Sequence, residues 1–185
     1  VTVPTNSVTL DKTSLSLAVG ETAQLPATVN PDNATDKSVI WTSSDESVAK
    51  VDNGRVTAVK AGNATITAKC GNKTAECAVT VTVPTGSVTL DKTSLSLAVG
   101  EAVQLTATVK PDNATDKTVT WTSSDESVAK VDNGRVTAVK SGNASITAKC
   151  GNKTAECAVT VTVPTNSVTL DKTSLSLAVG ETAQL

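Results

Sequence analysis

The sequence predicts an all-β protein in which one small β-sandwich is repeated in tandem and joined into a semi-rigid rod. Three observations predict this fold class. The chain repeats itself with a period of 80 residues, its apolar residues alternate with a period of two, and turn signals separate the alternating runs. A period of two is typical of strands with one buried face, whereas a helix shows a period near 3.6.

The repeat defines the domain organisation. Residues 1–80 and 81–160 align without gaps and differ at nine positions, and residues 161–185 match the first 25 residues at every position. Solenoid repeats are roughly 20–50 residues long, whereas 80 residues are enough for a small independent domain. The predicted boundaries are 5–84 and 85–164 for two complete repeats, 165–185 for the opening strands of an incomplete third repeat, and 1–4 for the end of a preceding repeat.

Short alternating runs follow one another within each repeat. Residues 23–29 place apolar side chains at every second position, and residues 66–70 and 77–83 form the last two runs. Asn53-Gly54 lies between two further runs and predicts a two-residue hairpin, because both central residues of such a turn need positive φ. About seven short strands in 80 residues is the number expected of an immunoglobulin-like sandwich.

Each repeat has a single aromatic residue, Trp41 or Trp121. Because Trp41 shares strand parity with Val39, we predict that the indole fills the centre of the core; an exposed Trp that stacks on a sugar is the alternative. Pro26 lies within a predicted strand, where it cannot donate to a ladder. The second repeat has Thr106 at this position, so we expect a bulge there or a backbone nitrogen that faces solvent.

The four cysteines form two pairs at the same spacing, Cys70 with Cys77 and Cys150 with Cys157. Strand parity places both thiols of a pair on the inward face of the last two strands. Directly opposed residues on antiparallel strands are close enough for a disulfide, so we predict a disulfide within each repeat and an oxidising, extracytoplasmic setting. Two buried free thiols and a link between chains are the alternatives.

The composition argues against most chemistry. The chain has no His, which is the usual general base near neutral pH and the commonest metal ligand. A net charge of −2 provides no basic surface for nucleic acid, and no apolar run reaches the ~18 residues of a membrane span. We therefore predict no enzymatic activity, no catalytic, cofactor-binding or metal-binding residues, no nucleic-acid partner and no membrane insertion.

Five strings occur in a fixed order, and together they are specific: SVTL (7–10), LSLAVGE (15–21), WTSSDESVA (41–49), NGRVTAV (53–59) and GNATITA (62–68). They closely resemble the bacterial immunoglobulin-like domain, group 2, and the resemblance spans the entire chain. It implies two-sheet β-sandwiches in tandem, in bacterial surface or secreted proteins, in adhesins of the intimin and invasin type, or in phage appendages. It supplies no catalytic residues, and it assigns receptor binding to a distal module that this sequence lacks.

The function predicted is structural, namely a spacer in the extracellular shaft of a bacterial filament, an adhesin or a phage fibre. The junction at residues 83–88 is short and contains a proline, which fixes φ and limits hinging. The expected partners are neighbouring repeats, with self-assembly into a filament as an extension. The alternatives are that the repeats themselves bind a cell-surface glycan or receptor, or that residues 161–185 replace the opening strands of another chain in end-to-end exchange.

Two kinds of surface site remain open at this stage. We expect the acidic loop residues to form a solvated surface; binding of calcium at the junctions, through the oxygen ligands that calcium prefers, is the alternative. Six asparagines match the glycosylation pattern Asn-x-Thr or Asn-x-Ser. These candidate glycosylation sites are Asn33, Asn63, Asn72, Asn113, Asn143 and Asn152.

Overall fold

The computed structural model describes residues 1–165, 169–171 and 173–184, and all regular structure in these residues is β. The strands of the first repeat are β1 (Ser7–Leu10), β2 (Ser14–Ala18), β3 (Thr22–Gln24), β4 (Ala27–Asn30), β5 (Ile40–Ser43), β6 (Ala49–Asp52), β7 (Arg55–Ala58), β8 (Gly62–Cys70) and β9 (Lys73–Thr82). Those of the second are β10 (Ser87–Leu90), β11 (Ser94–Ala98), β12 (Ala102–Gln104), β13 (Ala107–Lys110), β14 (Thr120–Ser123), β15 (Ala129–Asp132), β16 (Arg135–Ala138), β17 (Gly142–Cys150) and β18 (Lys153–Thr162).

The strands of the first repeat form three hydrogen-bonded sheets. These are a four-stranded sheet in the order β2-β9-β8-β5, a three-stranded sheet in the order β3-β7-β6, and the pair β1-β4. β2 runs parallel to β9, and the other pairings of this repeat are antiparallel. The second repeat has the same sheet orders. The predicted all-β fold with tandem immunoglobulin-like sandwiches is confirmed, and each repeat has nine strands where we expected about seven.

One predicted run is divided at Pro26. The run that we predicted at residues 23–29 separates into β3, which pairs with β7, and β4, which pairs with β1. Pro26 lies between them and outside both ladders, and in the second repeat the Thr106 backbone N–H donates to Asp91 Oδ1 at 2.8 Å. Proline is tolerated because this nitrogen is not part of a ladder.

The compact units of the chain do not coincide with its repeats. One unit comprises Val1–Thr89, Ala107–Thr120 and Lys149–Ala155, and the other comprises Leu90–Thr106, Trp121–Ala148 and Glu156–Leu185. The first repeat lies entirely within one unit. The boundaries at 5–84 and 85–164 stay a prediction.

The opening strands that we predicted at 165–185 stay a prediction, because part of this segment lies outside the described residues. Residues 166–168, 172 and 185 lie outside the described residues, and the others form no strand. Leu177 is 48% exposed, whereas its counterpart Leu17 is 8% exposed. Leu17 is buried where β2 pairs with β9.

The core of the first repeat consists of two adjoining clusters. Leu25, Val56 and Ile66 are 0% exposed at the centre of the larger cluster. Trp41 is only partly buried and packs against both clusters. Since β5 is the edge strand of its sheet, one side of the indole stays uncovered. The Trp41 indole therefore contacts the core from the edge, as Trp121 does in the second repeat, and it is not the enclosed centre that we predicted.

The Asn53-Gly54 hairpin that we predicted is present. Asp52 pairs with Arg55 across the turn, and φ is 48° at Asn53 and 79° at Gly54. A Cβ atom at Gly54 would lie 2.7 Å from the Leu25 carbonyl oxygen and 3.0 Å from Trp41 Cζ2. Glycine is therefore needed at this position both for its backbone conformation and for close packing.

The predicted disulfides are wrong. All four cysteines are free and buried. Because β8 and β9 are joined by the two-residue turn Gly71-Asn72, Cys70 pairs with Lys73 and Cys77 lies opposite Ile66. The two cysteines are four positions apart along the ladder, about 13 Å, which is beyond the ~7 Å limit between Cα atoms for a disulfide. Both thiols do face inward as predicted, and Cys150 and Cys157 repeat the arrangement.

Replacing Gly54 and its counterpart Gly134 by alanine is expected to destabilise the protein by about 1–3 kcal/mol more than replacing Gly20 and Gly100. All four glycines have positive φ, but nothing lies within 4 Å of a Cβ at Gly20 or Gly100. The second pair therefore controls for backbone strain alone, which costs about 1–2 kcal/mol per site. Chemical denaturation measures the difference, and equal losses for the two variants would contradict the close packing.

The native protein is expected not to react with a thiol reagent, because its four cysteines are buried. In denaturant without reductant, four thiols per chain should react. Absorbance of the released chromophore counts them, and a denatured sample treated with reductant is the control. A thiol count that rises only after reduction would show that the cysteines are paired in disulfides.

Candidate functional site

The segment between the two repeats is held by hydrogen bonds to a loop that belongs to the second repeat. We name residues 83–86 the connector and residues 115–118 the clasp loop. The Val83 backbone N–H donates to Thr115 Oγ1 at 2.7 Å, and the Thr115 N–H donates to the Val83 carbonyl at 2.9 Å. Thr85 Oγ1 donates to the Asp116 carbonyl at 3.0 Å. The same three contacts join Val3 and Thr5 to Thr35 and Asp36.

The connector contains no long unbonded stretch. β9 ends at Thr82, and the next residue, Val83, is already bonded to the clasp loop. At the other end, the Gly86 N–H donates to the Lys110 carbonyl at 2.7 Å, immediately before β10 begins at Ser87. Pro84 lies between these anchors, and its ring fixes φ. The backbone freedom of this segment is therefore small compared with that of a Gly/Ser linker.

A hydrogen bond within the clasp loop orders it independently of the connector. Asp116 Oδ1 accepts the Thr118 N–H at 2.8 Å, which is the geometry of an Asx turn. The bonds from the Thr118 backbone and side chain hold the pKa of Asp116 below its ordinary value of 3.8. The ionised carboxylate therefore stabilises the loop fully at pH values above 3.8, and this stabilisation is lost as the pH falls through the lowered pKa.

A buried thiol completes the contact between connector and loop. Cys150 Sγ lies 3.5 Å from Thr85 Oγ1, and the thiol donates to the Asp116 carbonyl at 3.5 Å. Cys70 makes the same contacts with Thr5 and Asp36, and each of the two cysteines is 1% exposed. The weak polarity of a thiol suits a closed site with one acceptor. These cysteines therefore pack under the connector instead of forming the disulfides that we predicted.

The other pair of cysteines lies deeper in each core. Burial raises the pKa of the Cys77 thiol, and the negative charge of Asp11 raises it further; Cys157 has the same environment beside Asp91. A raised pKa keeps a thiol protonated and unreactive. These residues therefore act as small apolar side chains of the core.

The residues of the clasp loop were missed by reasoning from the sequence. Thr115, Asp116 and their counterparts look like ordinary polar loop residues, and the spacing Asp-Lys-Thr or Asp-Lys-Ser is the one available signal of an Asx turn. The recurrence of Val-Pro-Thr at each junction indicates a connector but not the loop that it contacts.

An open groove on the hairpin of β6 and β7 is the place where a ligand could lie. It measures about 430 Å³ and is lined by Glu46, Lys50, Val51, Asp52, Arg55 and Thr57, and its counterpart in the second repeat measures about 400 Å³. Its lining carries charges of both signs and no aromatic side chain. Neither half-buried indole lies in these grooves. Binding of a glycan or receptor by the repeats stays a prediction.

The six candidate glycosylation sites are all exposed. Asn33 and Asn72 lie in turns, and Asn63 lies within β8, where its Oδ1 accepts the Thr80 hydroxyl at 3.1 Å. The counterparts Asn113, Asn152 and Asn143 have the same settings. Their modification stays a prediction, with the turn sites the more accessible to an enzyme.

Among residues 1–165, 169–171 and 173–184, no three His, Cys, Asp or Glu side chains are grouped so that they could hold a metal ion. The same residues include no helix that is long and apolar enough to cross a bilayer. Calcium between repeats stays an open expectation.

Comparison with known families is decisive about identity. The model of the bacterial Ig-like domain (group 2) matches residues 4–81 and again residues 84–161. The chain belongs to this family. The group 2 resemblance stated from the five strings is thus confirmed, and both matches include the paired strands and the clasp loop described above.

Relatives of this bacterial Ig-like chain occur in proteins of different kinds. An uncharacterized protein of Clostridium acetobutylicum is 43% identical over 164 residues, which are 84% of this chain and 17% of that protein. An Ig-like virion protein of Serratia phage KSP90 is 39% identical over 86% of this chain and 66% of its own length. An alpha-L-arabinofuranosidase of Bifidobacterium longum is 44% identical over 60% of this chain and 11% of the enzyme. The chain thus spans less than two thirds of each of these relatives.

Among solved structures, the N-terminal eight Ig domains of Down Syndrome Cell Adhesion Molecule isoform 1.30.30 are similar with a TM-score of 0.50. The match covers 89% of this chain and 27% of that one, at 14% identity. A likeness at this identity shows the shared Ig fold alone.

Replacing Thr115 by valine is expected to increase the rate of amide hydrogen exchange at Val83 about fivefold, because one net hydrogen bond is lost while the shape is kept. Thr35→Val is the matched control, since it removes the same acceptor from Val3 and leaves Val83 unaffected. Nuclear magnetic resonance reads both amides in one sample. Equal exchange at Val83 in the two variants would contradict the role of the clasp loop.

Proposed function

We propose that the repeats are spacer modules of an extracellular or virion-associated protein, and that they hold other parts of that protein apart. The observation that carries this proposal is the bonded connector. Val83 follows the last residue of β9 directly and is already hydrogen-bonded to Thr115. A segment held in this way transmits the position of one repeat to the next with little freedom.

The physical basis is a low conformational entropy in the connector. Fixing the backbone of one freely rotating residue costs about 1–2 kcal/mol of conformational free energy at 25 °C. Here Pro84 has a fixed φ, and Val83, Thr85 and Gly86 are each bonded to the second repeat. Repetition of such a joint gives a semi-rigid rod, whose length grows with the number of repeats.

The relatives support a spacer that is independent of any one activity. The same module is found in a protein named as a virion protein and in one named as an alpha-L-arabinofuranosidase, of which it makes up 11%. A module that recurs beside different named activities suits a structural role. The name of the virion relative favours an extracellular or virion-associated location, and we propose that setting for this chain, either in a bacterial surface filament or adhesin or in a phage fibre.

The absence of enzymatic activity remains our prediction for the repeats themselves. The family is one of Ig-like modules, and the arabinofuranosidase relative matches over a small part of its length. Binding of a glycan or receptor by the repeats and end-to-end strand exchange also remain predictions, and no described contact favours either over the spacer.

Small-angle X-ray scattering of the chain is expected to show an elongated particle with a well-defined maximum dimension. Insertion of Gly-Ser-Gly-Ser between Thr82 and Val83 should broaden the distance distribution, because it frees the joint while both repeats stay folded. The matched control is the same insertion between Gly71 and Asn72, the turn between β8 and β9, which lies at the opposite end of β9 from the connector. Identical broad distributions for the unmodified chain and the connector insertion would refute the spacer.

A further inference from the structure

The strands near the two ends of a repeat lie side by side and run in the same direction. β2 pairs in parallel with β9 from Ser14 opposite Ala78 to Ala18 opposite Thr82. Two further bonds extend this ladder: the Ala78 N–H donates to the Thr13 carbonyl at 2.9 Å, and the Val19 N–H donates to the Thr82 carbonyl at 2.9 Å.

The chain enters the first repeat at one end of β9 and leaves it at the other. Thr5, which precedes β1, lies 3.5 Å from Cys70, next to the turn where β9 begins. The chain leaves where β9 ends, at Thr82, next to Val19. The ten residues of β9 span about 33 Å. A pull on the two ends of the repeat therefore acts along the strand axis.

From this geometry we propose that the β2–β9 ladder is a mechanical clamp that resists tension in shear. Tension pulls β2 and β9 along their axes in opposite directions, and the hydrogen bonds lie across those axes. Such a load is shared by all bonds of the ladder and does not break them one after another. The inference deepens the proposed spacer function, and it rests on that function because a spacer between two anchored parts must carry load.

Side chains strengthen the ladder against sliding. Leu17 lies opposite Val81 and Leu15 lies opposite Val79, and these side chains face the core. Movement of β2 by two residues, about 7 Å, would take Leu17 out of its buried place. The apolar contacts and the hydrogen bonds must therefore fail together.

The first strand adds a second element loaded in the same way. β1 pairs with β4 from Ser7 opposite Asn30 to Leu10 opposite Ala27, and Val8 and Val29 on these strands are both buried. Tension applied at residues 1–6 reaches β1 first, again along its axis. The second repeat has the same clamp, with Val99 donating to Thr162 at 3.0 Å.

The test is force spectroscopy of the full chain held by its ends at constant load. Val19→Pro removes the N–H that bonds to Thr82, and loss of one ladder bond is expected to increase the unfolding rate of the first repeat about fivefold. The unchanged second repeat unfolds in the same molecule and provides an internal reference. Unfolding rates that stay equal for the two repeats would overturn the clamp.

Two further variants separate the clamp from general stability. Ser16→Pro is the matched control, because ladder bonds alternate along β2 and its N–H faces away from β9 at the edge of the sheet; its unfolding rate should not change. Val39→Ala removes methyl groups that pack against the smaller core cluster, which contains no residue of the β2–β9 ladder, so it should lower equilibrium stability with little change in the rate under load. A Ser16→Pro effect as large as that of Val19→Pro, or a larger effect of Val39→Ala, would also overturn the clamp.

The outcomes for the clamp and for the spacer are distinguishable. If scattering contradicts the spacer, Val19→Pro should still increase the unfolding rate of the first repeat about fivefold. If the clamp fails, the unfolding rates of the variants become equal while the scattering of the unmodified chain still shows a defined length.

Discussion

The register between β8 and β9 is the constraint on which the rest of each repeat depends. A two-residue turn joins them, and nine residues of β8 pair with the residues that follow. This register places Ile66 and Cys77 in the larger cluster and leaves Cys70 at the turn, where its thiol contacts Thr5. β2 and β5 then attach to the two outer edges of the pair. The core, the connector and the parallel ladder all derive their positions from this one hairpin.

A core with so few large side chains depends on close approach of the backbone. Alanine, valine and cysteine fill much of both clusters, and interiors of this kind are as dense as crystals of small molecules. Gly54 shows the consequence, because the turn that contains it lies directly against Leu25 and Trp41. The repeat achieves its packing through tight turns and strand register more than through bulky residues.

Much of the fold follows from the sequence, and the remainder depends on contacts that alternation does not encode. The period of two and the Asn53-Gly54 turn correctly predict strands and a hairpin, because both are local effects. The cysteine pairing fails because Gly71-Asn72 makes a shorter turn than the six residues between the cysteines suggest, and parity gives the face of a residue but not its partner. The indole is misplaced because a period of two does not distinguish an edge strand from a central one. The clasp loop lies beyond prediction because its bonds join residues 32 positions apart.

The placement of the indole also makes each repeat optically simple. With one Trp per repeat and no Tyr or Phe, the near-ultraviolet fluorescence of a repeat comes from a single chromophore. Since that ring contacts both core clusters, its emission colour responds when either one loosens. Each repeat therefore contains its own fluorescent probe. Replacement of one Trp by a non-fluorescent side chain leaves fluorescence from the other repeat alone.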